Sequence, residues 1–102
     1  MSSPPCPTVR HRPADRRFEL QIDGLEAFLA YTHEHDRILL DHTFVPEALR
    51  GRGLAAVLVR AALTEAHRQG WRIVPRCSYV AEFLRRHPEF ADLTDGDPAT
   101  RG

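Results

Sequence analysis

Lysine and asparagine are both absent from this chain, and all 14 of its basic residues are arginine. Any basic side chain that meets a phosphate must therefore do so through a planar guanidinium fork, with backbone amides as the other donors. A phosphate loop that ends in Gly-Lys-Ser/Thr is excluded. Acidic residues also number 14, so the formal net charge is zero and there is no electrostatic case for nucleic acid as a partner. Cysteine is scarce: Cys6 and Cys77 lie far apart, and Cys6 sits in a proline-rich stretch, so a structural disulfide is not expected and a reducing compartment suits the chain. No run approaches the roughly 20 apolar residues of a membrane span, and the first residues lack an apolar stretch of signal-peptide length. The expectation is a cytoplasmic protein that engages neither nucleic acid nor membrane, a monomer or weak dimer. At 102 residues it has room for one domain with one modest core.

Residues 1–17 hold four of the eight prolines, four arginines and almost nothing apolar, which predicts a flexible tail. Residues 94–102 have the same character, leaving a folded domain over 18–93. Within it, Phe18, Leu20 and Ile22 alternate with polar residues, Asp23-Gly24 is a hairpin pair, and Leu25 to Thr32 is a second extended run. After a polar turn at His33 to Arg37, Ile38 to Val45 reads as a third strand that Pro46 ends. From Ala55, apolar residues at 55, 58, 59, 62, 63 and 66 trace the stripe of an amphipathic helix closed by Gly70. Trp71 to Pro75 then returns as a strand parallel to the third, and Ser78 opens a last helix that Pro88 closes. The fold class expected is α/β (α+β by layer): an antiparallel meander, then a βαβ unit, then a C-terminal helix.

Between the third strand and the first helix lies Arg50-Gly51-Arg52-Gly53-Leu54-Ala55. Two glycines let the backbone turn so that consecutive N–H groups converge on one anion at the positive end of the helix dipole. On spacing alone, a plain strand-to-helix turn explains the segment equally well. The pattern Arg50-x-x-Gly53-x-Ala55, however, resembles the Arg/Gln-x-x-Gly-x-Gly/Ala signature of the GNAT acetyltransferase superfamily. Further along, His42-Thr43-Phe44-Val45-Pro46, Val74-Pro75-Arg76-Cys77-Ser78-Tyr79-Val80 and Arg86-His87-Pro88-Glu89-Phe90 resemble its minimal, single-domain branch in order. The resemblance implies a compact GNAT-like fold and an acetyl-CoA site. In it the diphosphate would rest on Arg50, Gly51, Arg52, Gly53, Leu54 and Ala55, and the pantetheine arm would lie between splayed parallel strands, beside Phe44 and Val45. It also implies transfer of acetyl to an amine. The chain has no room for helices before the first strand, and the acceptor side it leaves open suits a protein or peptide.

Acetyl transfer needs a deprotonated nucleophile, an oxyanion partner and a proton for the departing thiolate. Cys77, between a strand end and a helix start, stands where a dipole lowers a thiol pKa; it also occupies the position of the branch's characteristic cysteine. Its open roles are acetyl carrier, orienting group, or small buried apolar residue. His42, beside the groove, is a candidate base, although a lone strand histidine also serves structurally. Many GNAT enzymes carry a proton-donating tyrosine on the last helix, whereas Phe83 and Phe90 stand on or near it in this chain; Tyr79 at the helix start is the nearest substitute acid, and an aromatic packing residue with its hydroxyl at the surface is an equal reading of it. Arg85 and Arg86 read as a solvated face. His33, His35, His67 and His87 read as surface or turn residues, and no metal site is expected. Two other readings stay open: an acyl-CoA-binding or sensing module with little catalysis, and an interaction domain with no ligand.

Overall fold

A computed structural model of the chain describes residues 8–93. Residues 1–7 and 94–102, where the ends of both expected tails fall, lie outside the described residues. A five-stranded sheet is built in sequence order from β1 (Arg10–Arg12), β2 (Arg17–Ile22), β3 (Leu25–Glu34), β4 (Arg37–Phe44) and β5 (Arg72–Pro75). The first four strands pair antiparallel and β5 joins β4 in parallel. Helix α1 (Leu54–Gln69) crosses over between them, and α2 (Ser78–Arg86) follows β5. The expected meander and βαβ unit are both present.

One strand is additional. Arg10–Arg12 was expected within a flexible tail but pairs with Arg17–Glu19 across a four-residue turn, 13–16. Its anchor is His11, whose ring stacks on Phe18 at 4.2 Å and whose Nε2 lies 2.6 Å from the Tyr31 hydroxyl. A segment with almost no aliphatic residue is thus held by strand pairing, aromatic stacking and polar contacts.

The β2–β3 hairpin turns on Asp23 and Gly24, both at positive φ (54° and 77°), as a primed two-residue turn requires. Alternation then sends Phe18, Leu20, Ala27, Leu29, Tyr31, Ile38, Leu40 and Ile73 into one buried face. Onto that face packs the α1 stripe of Leu54, Leu58, Val59, Ala62, Leu63 and Ala66. The buried stripe begins at Leu54 and not at Ala55, which is only half-buried. Gly70 ends α1 in the left-handed region, its N–H bonded to the carbonyls of Ala66 and His67. Val80 and Phe83 seat α2 against the same core, and Pro88–Leu93 forms a short 3-10 helix beyond it.

Candidate functional site

Two features of the βαβ unit make the site. The first is the end of a strand pairing: β4 and β5 match residue for residue from Arg37–Arg72 to Leu40–Pro75. There the pairing stops, because the N–H groups of Arg76 (3.1 Å) and Cys77 (3.0 Å) both converge on the Leu40 carbonyl. The chain then turns into α2, while β4 runs on through Asp41 to Phe44 with β3 on one side only. The strands part at an irregularity: Tyr31 pairs with Leu40 but Ala30 with His42, leaving Asp41 as the extra residue of a β-bulge. The Asp41 carboxylate accepts from the Thr32 hydroxyl (2.6 Å) and lies 3.2 Å from Arg76 Nε, which ties the bulge to the end of β5.

The second feature is the turn from β4 into α1. After a 3-10 turn at Glu47–Leu49, Gly51 and Gly53 take φ of 86° and 74°. A Cβ at either would meet nothing within 4 Å, so these glycines answer to backbone conformation and not to crowding. Gly53 is the N-cap of α1; no side chain caps the helix and no acidic residue occupies its first turn. The N–H groups of Leu54, Ala55 and Ala56 therefore have no acceptor within the helix, and the positive end of a 16-residue dipole is unneutralised. Arg50 Nε donates to the Val45 carbonyl (3.2 Å), fastening the turn to the strand end, and Arg52 pairs loosely with Asp23 (3.5 Å) in solvent. Leu54 is 4% exposed, so it serves the core with its side chain and can offer the turn only its amide.

Cys77, the N-cap of α2, stands at the first feature, where β5 leaves β4. Its Sγ lies 3.8 Å from the Thr43 hydroxyl, on the unpaired stretch of β4. Burial pushes the thiol pKa up, but the amides of Val80 and Tyr79 at the helix start, then the Thr43 hydroxyl and amide, outweigh it, and the net pKa falls below the usual value. Tyr79 is 39% exposed, and its hydroxyl pKa is raised by burial against a smaller opposing effect of Arg86. Phe44, 40% exposed, and Val45 border the open stretch of β4.

His42 stands apart from this cluster. Alternation after the bulge turns it to the opposite face of β4 from Thr43, where it is exposed beside Phe28 (centroids 6.0 Å) and shares that ring with Phe44 (5.5 Å). The polar side chain beside Cys77 is Thr43, and reasoning from residue chemistry missed it because threonine neither titrates nor catalyses visibly in a sequence. Phe83 is 5% exposed, a core residue. Arg85 and Arg86 both pair with Glu82 on the exposed side of α2. His35 sits in the β3–β4 turn, His67 in the last turn of α1, and His87 stacks on Phe83 (4.1 Å). His33 differs from expectation: it is half-buried against Trp71 (4.5 Å). Among the described residues no group of three or more His, Cys, Asp or Glu side chains is close enough to hold a metal, and no helix is long and apolar enough to cross a membrane.

A parallel strand pair that opens beyond a bulge, with an uncapped helix leaving a glycine turn beside it, defines a small GNAT-type domain. A family model described as GCN5-related N-acetyl-transferase matches residues 17–93, and the chain belongs to that family. The chain is 37% identical to Protein NATD1 of Bos taurus and 34% identical to Protein NATD1 of Homo sapiens; each match spans 81% of this chain and 77% of the relative. A solution structure of a GCN5-like putative N-acetyltransferase from Staphylococcus aureus superposes with a TM-score of 0.70, covering 88% of this chain and 89% of the other at 23% identity. That likeness fixes the fold, and the family marks the chain as a GNAT-type N-acetyltransferase domain.

Proposed function

We propose that this chain transfers an acetyl group from acetyl-CoA to an amine of a protein or peptide. The observation that carries the reading is the uncapped, unneutralised start of α1 behind Gly51 and Gly53, adjoining the stretch of β4 from Asp41 to Phe44 that β5 leaves unpaired. These residues fit the coenzyme. The amides of Gly51 to Ala55 suit a diphosphate, that of Arg50 being taken by the Glu47 carbonyl, and the strand edge that β5 leaves unpaired suits an amide-bearing arm. When bound, acetyl-CoA supplies an activated thioester acetyl.

The chain's own residues supply position and protons. Thr43 and the amides of Tyr79 and Val80 surround the Cys77 sulfur and favour its thiolate, which equips Cys77 either to carry the acetyl group or to orient the acceptor. Tyr79, whose hydroxyl carries its proton at neutral pH as any tyrosine does, is the donor for a departing thiolate. The amine acceptor approaches over exposed Tyr79, at the start of α2 beside Cys77, an aromatic surface that suits a peptide better than a small polar metabolite. His42, on the far face of β4, is left to remove a proton from the acceptor only through a path that does not involve Cys77.

Burial of Phe83 on the last helix favours a second reading, acyl-CoA binding with little turnover. Incubation with acetyl-CoA and a mixed peptide pool separates the two. Thiol release that depends on peptide establishes the transferase, an acetyl mass gain lost in Cys77→Ala establishes the carrier role, and binding without release establishes the second reading.

A further inference from the structure

Beyond Leu40, β4 has two ways to lie against β3. As it stands, Tyr31 pairs with Leu40, Asp41 is the extra residue, and Ala30 pairs with His42, Leu29 with Thr43 and Phe28 with Phe44. A ladder without the bulge would pair Ala30 with Asp41, Leu29 with His42, Phe28 with Thr43 and Ala27 with Phe44. Every side chain from 42 to 44 would then change face.

The regular alternative has much of the apolar patterning in its favour. It would set Phe44 beside Ile38 and Leu40 on the face where Ala27 and Leu29 have no exposed surface, whereas the bulged strand leaves Phe44 40% exposed. Burial of the His42 imidazole opposite Leu29 opposes it. Patterning therefore does not decide the register, and a residue left out of the ladder needs a partner of its own.

The Asp41 carboxylate supplies one on each side. One oxygen accepts from the Thr32 hydroxyl of β3 at 2.6 Å, and the other lies 3.2 Å from Nε of Arg76, just past the end of β5. The short, part-buried bond to a charged acceptor is the stronger of the two, while the Arg76 guanidinium, mostly in solvent, adds direction more than energy. Arg76 precedes Cys77, and both amides bond the Leu40 carbonyl, so the clasp joins the extra residue of β4 to the backbone that carries the thiol.

We infer that Asp41 is a positioning residue: its carboxylate keeps β4 in the bulged register and so sets Thr43, and not His42, beside the Cys77 sulfur. For the acetyl transfer proposed above, on which its catalytic meaning rests, the choice matters because a thiol faced by a hydroxyl and one faced by an imidazole are different acyl-transfer centres. The register is read without coenzyme and stands or falls separately.

The test compares the full-length protein with Asp41→Ala by cross-strand nuclear Overhauser contacts. Expected in the parent are Ala30–His42 and Phe28–Phe44; in the variant they give way to Leu29–His42 and Ala27–Phe44, a change in the ratio of registers of about tenfold or more for the loss of a bond to a charged group. A strand that merely loosens loses the first set without gaining the second. In a Cys6→Ser background, Thr43→Val moves the pH midpoint of Cys77 alkylation in the parent and leaves it unmoved once Asp41→Ala is present. If Asp41→Ala loses its fold by circular dichroism, Thr32→Val combined with Arg76→Met strips the carboxylate of both partners, and the same contacts and midpoints decide. In a folded variant, retention of the first set, its loss with no second set, or an equal effect of Thr43→Val in both backgrounds overturns the inference.

Discussion

Glycines of the same conformation flank α1 at both ends, and they turn the coenzyme proposal into a crossed experiment. Gly53 (φ 74°) and Gly70 (φ 77°) both sit in the left-handed region, and a Cβ at either meets no atom within 4 Å. Replacing each by glutamate therefore costs the same backbone strain, about 1–2 kcal/mol, with no steric addition. The helix dipole then separates the two: a carboxylate at the start of α1 regains about 0.3–1 kcal/mol, whereas one at its end loses a similar amount. Gly53→Glu is thus expected to lower stability by about 1 kcal/mol and Gly70→Glu by about 2 kcal/mol, read by urea unfolding. Coenzyme A affinity, measured by calorimetry, runs the other way. A carboxylate about 4 Å from a diphosphate charge costs roughly 1–4 kcal/mol between the water and protein-surface limits, a loss of about fivefold to a thousandfold. Gly70→Glu, at the far end of the helix, binds as the parent does. The less damaged protein loses the ligand and the more damaged one keeps it. Equal coenzyme affinity in the two variants refutes the phosphate seat.

Three further outcomes follow from the packing and the pKa directions. In a Cys6→Ser background, alkylation of Cys77 by iodoacetamide has its pH midpoint below that of an ordinary cysteine, and Thr43→Val raises the midpoint; an unmoved midpoint removes Thr43 from the thiol's environment. Leu58→Ala, at a position with no exposed surface, destabilises by about 2–5 kcal/mol in chemical unfolding, and a loss under about 1 kcal/mol refutes its place in the core. Burial, against a smaller opposing effect of Glu65, lowers the His11 pKa from 6.5, so the unfolded chain binds that proton more tightly. The contribution of neutral His11 is complete above pH 6.5 and is lost as the pH falls through the lower folded value; His11→Phe, compared by unfolding at each pH, lacks that slope. Glu65, whose carboxyl pKa is lowered by Arg68 and Gln69, adds a separate loss that begins only below 4.5.

Order and direction of the elements from Phe18 to Arg86 were legible because each carries a local signal. Alternation marks β2 and β3, the Asp23-Gly24 pair marks their turn, and the 3.6-residue stripe with Gly70 marks α1. The parallel return of β5 followed from handedness and chain length and is realised as Arg37–Leu40 against Arg72–Pro75. β1 was not legible. Its retention depends on His11 meeting Phe18 and Tyr31, residues 7 and 20 positions away, and no local pattern reports a contact of that range.

The site was legible in its backbone and less so in its side chains, and the bulge at Asp41 explains the difference. Glycines at 51 and 53 announce a left-handed turn before a helix, and the structure has one. Which side chain faces Cys77 depends instead on strand parity, and one inserted residue between Leu40 and His42 reverses parity for everything after it. A strand read as regular from Ile38 turns Ile38, Leu40 and His42 to one face, the face that is buried; with Asp41 inserted, Thr43 takes that side and His42 joins Phe28 and Phe44 on the other. The same inserted residue supplies the carboxylate that anchors Arg76 at the end of β5. The irregularity that parts the strands and the choice of threonine over histidine beside the thiol therefore have one cause, an extra residue in β4 opposite Ala30.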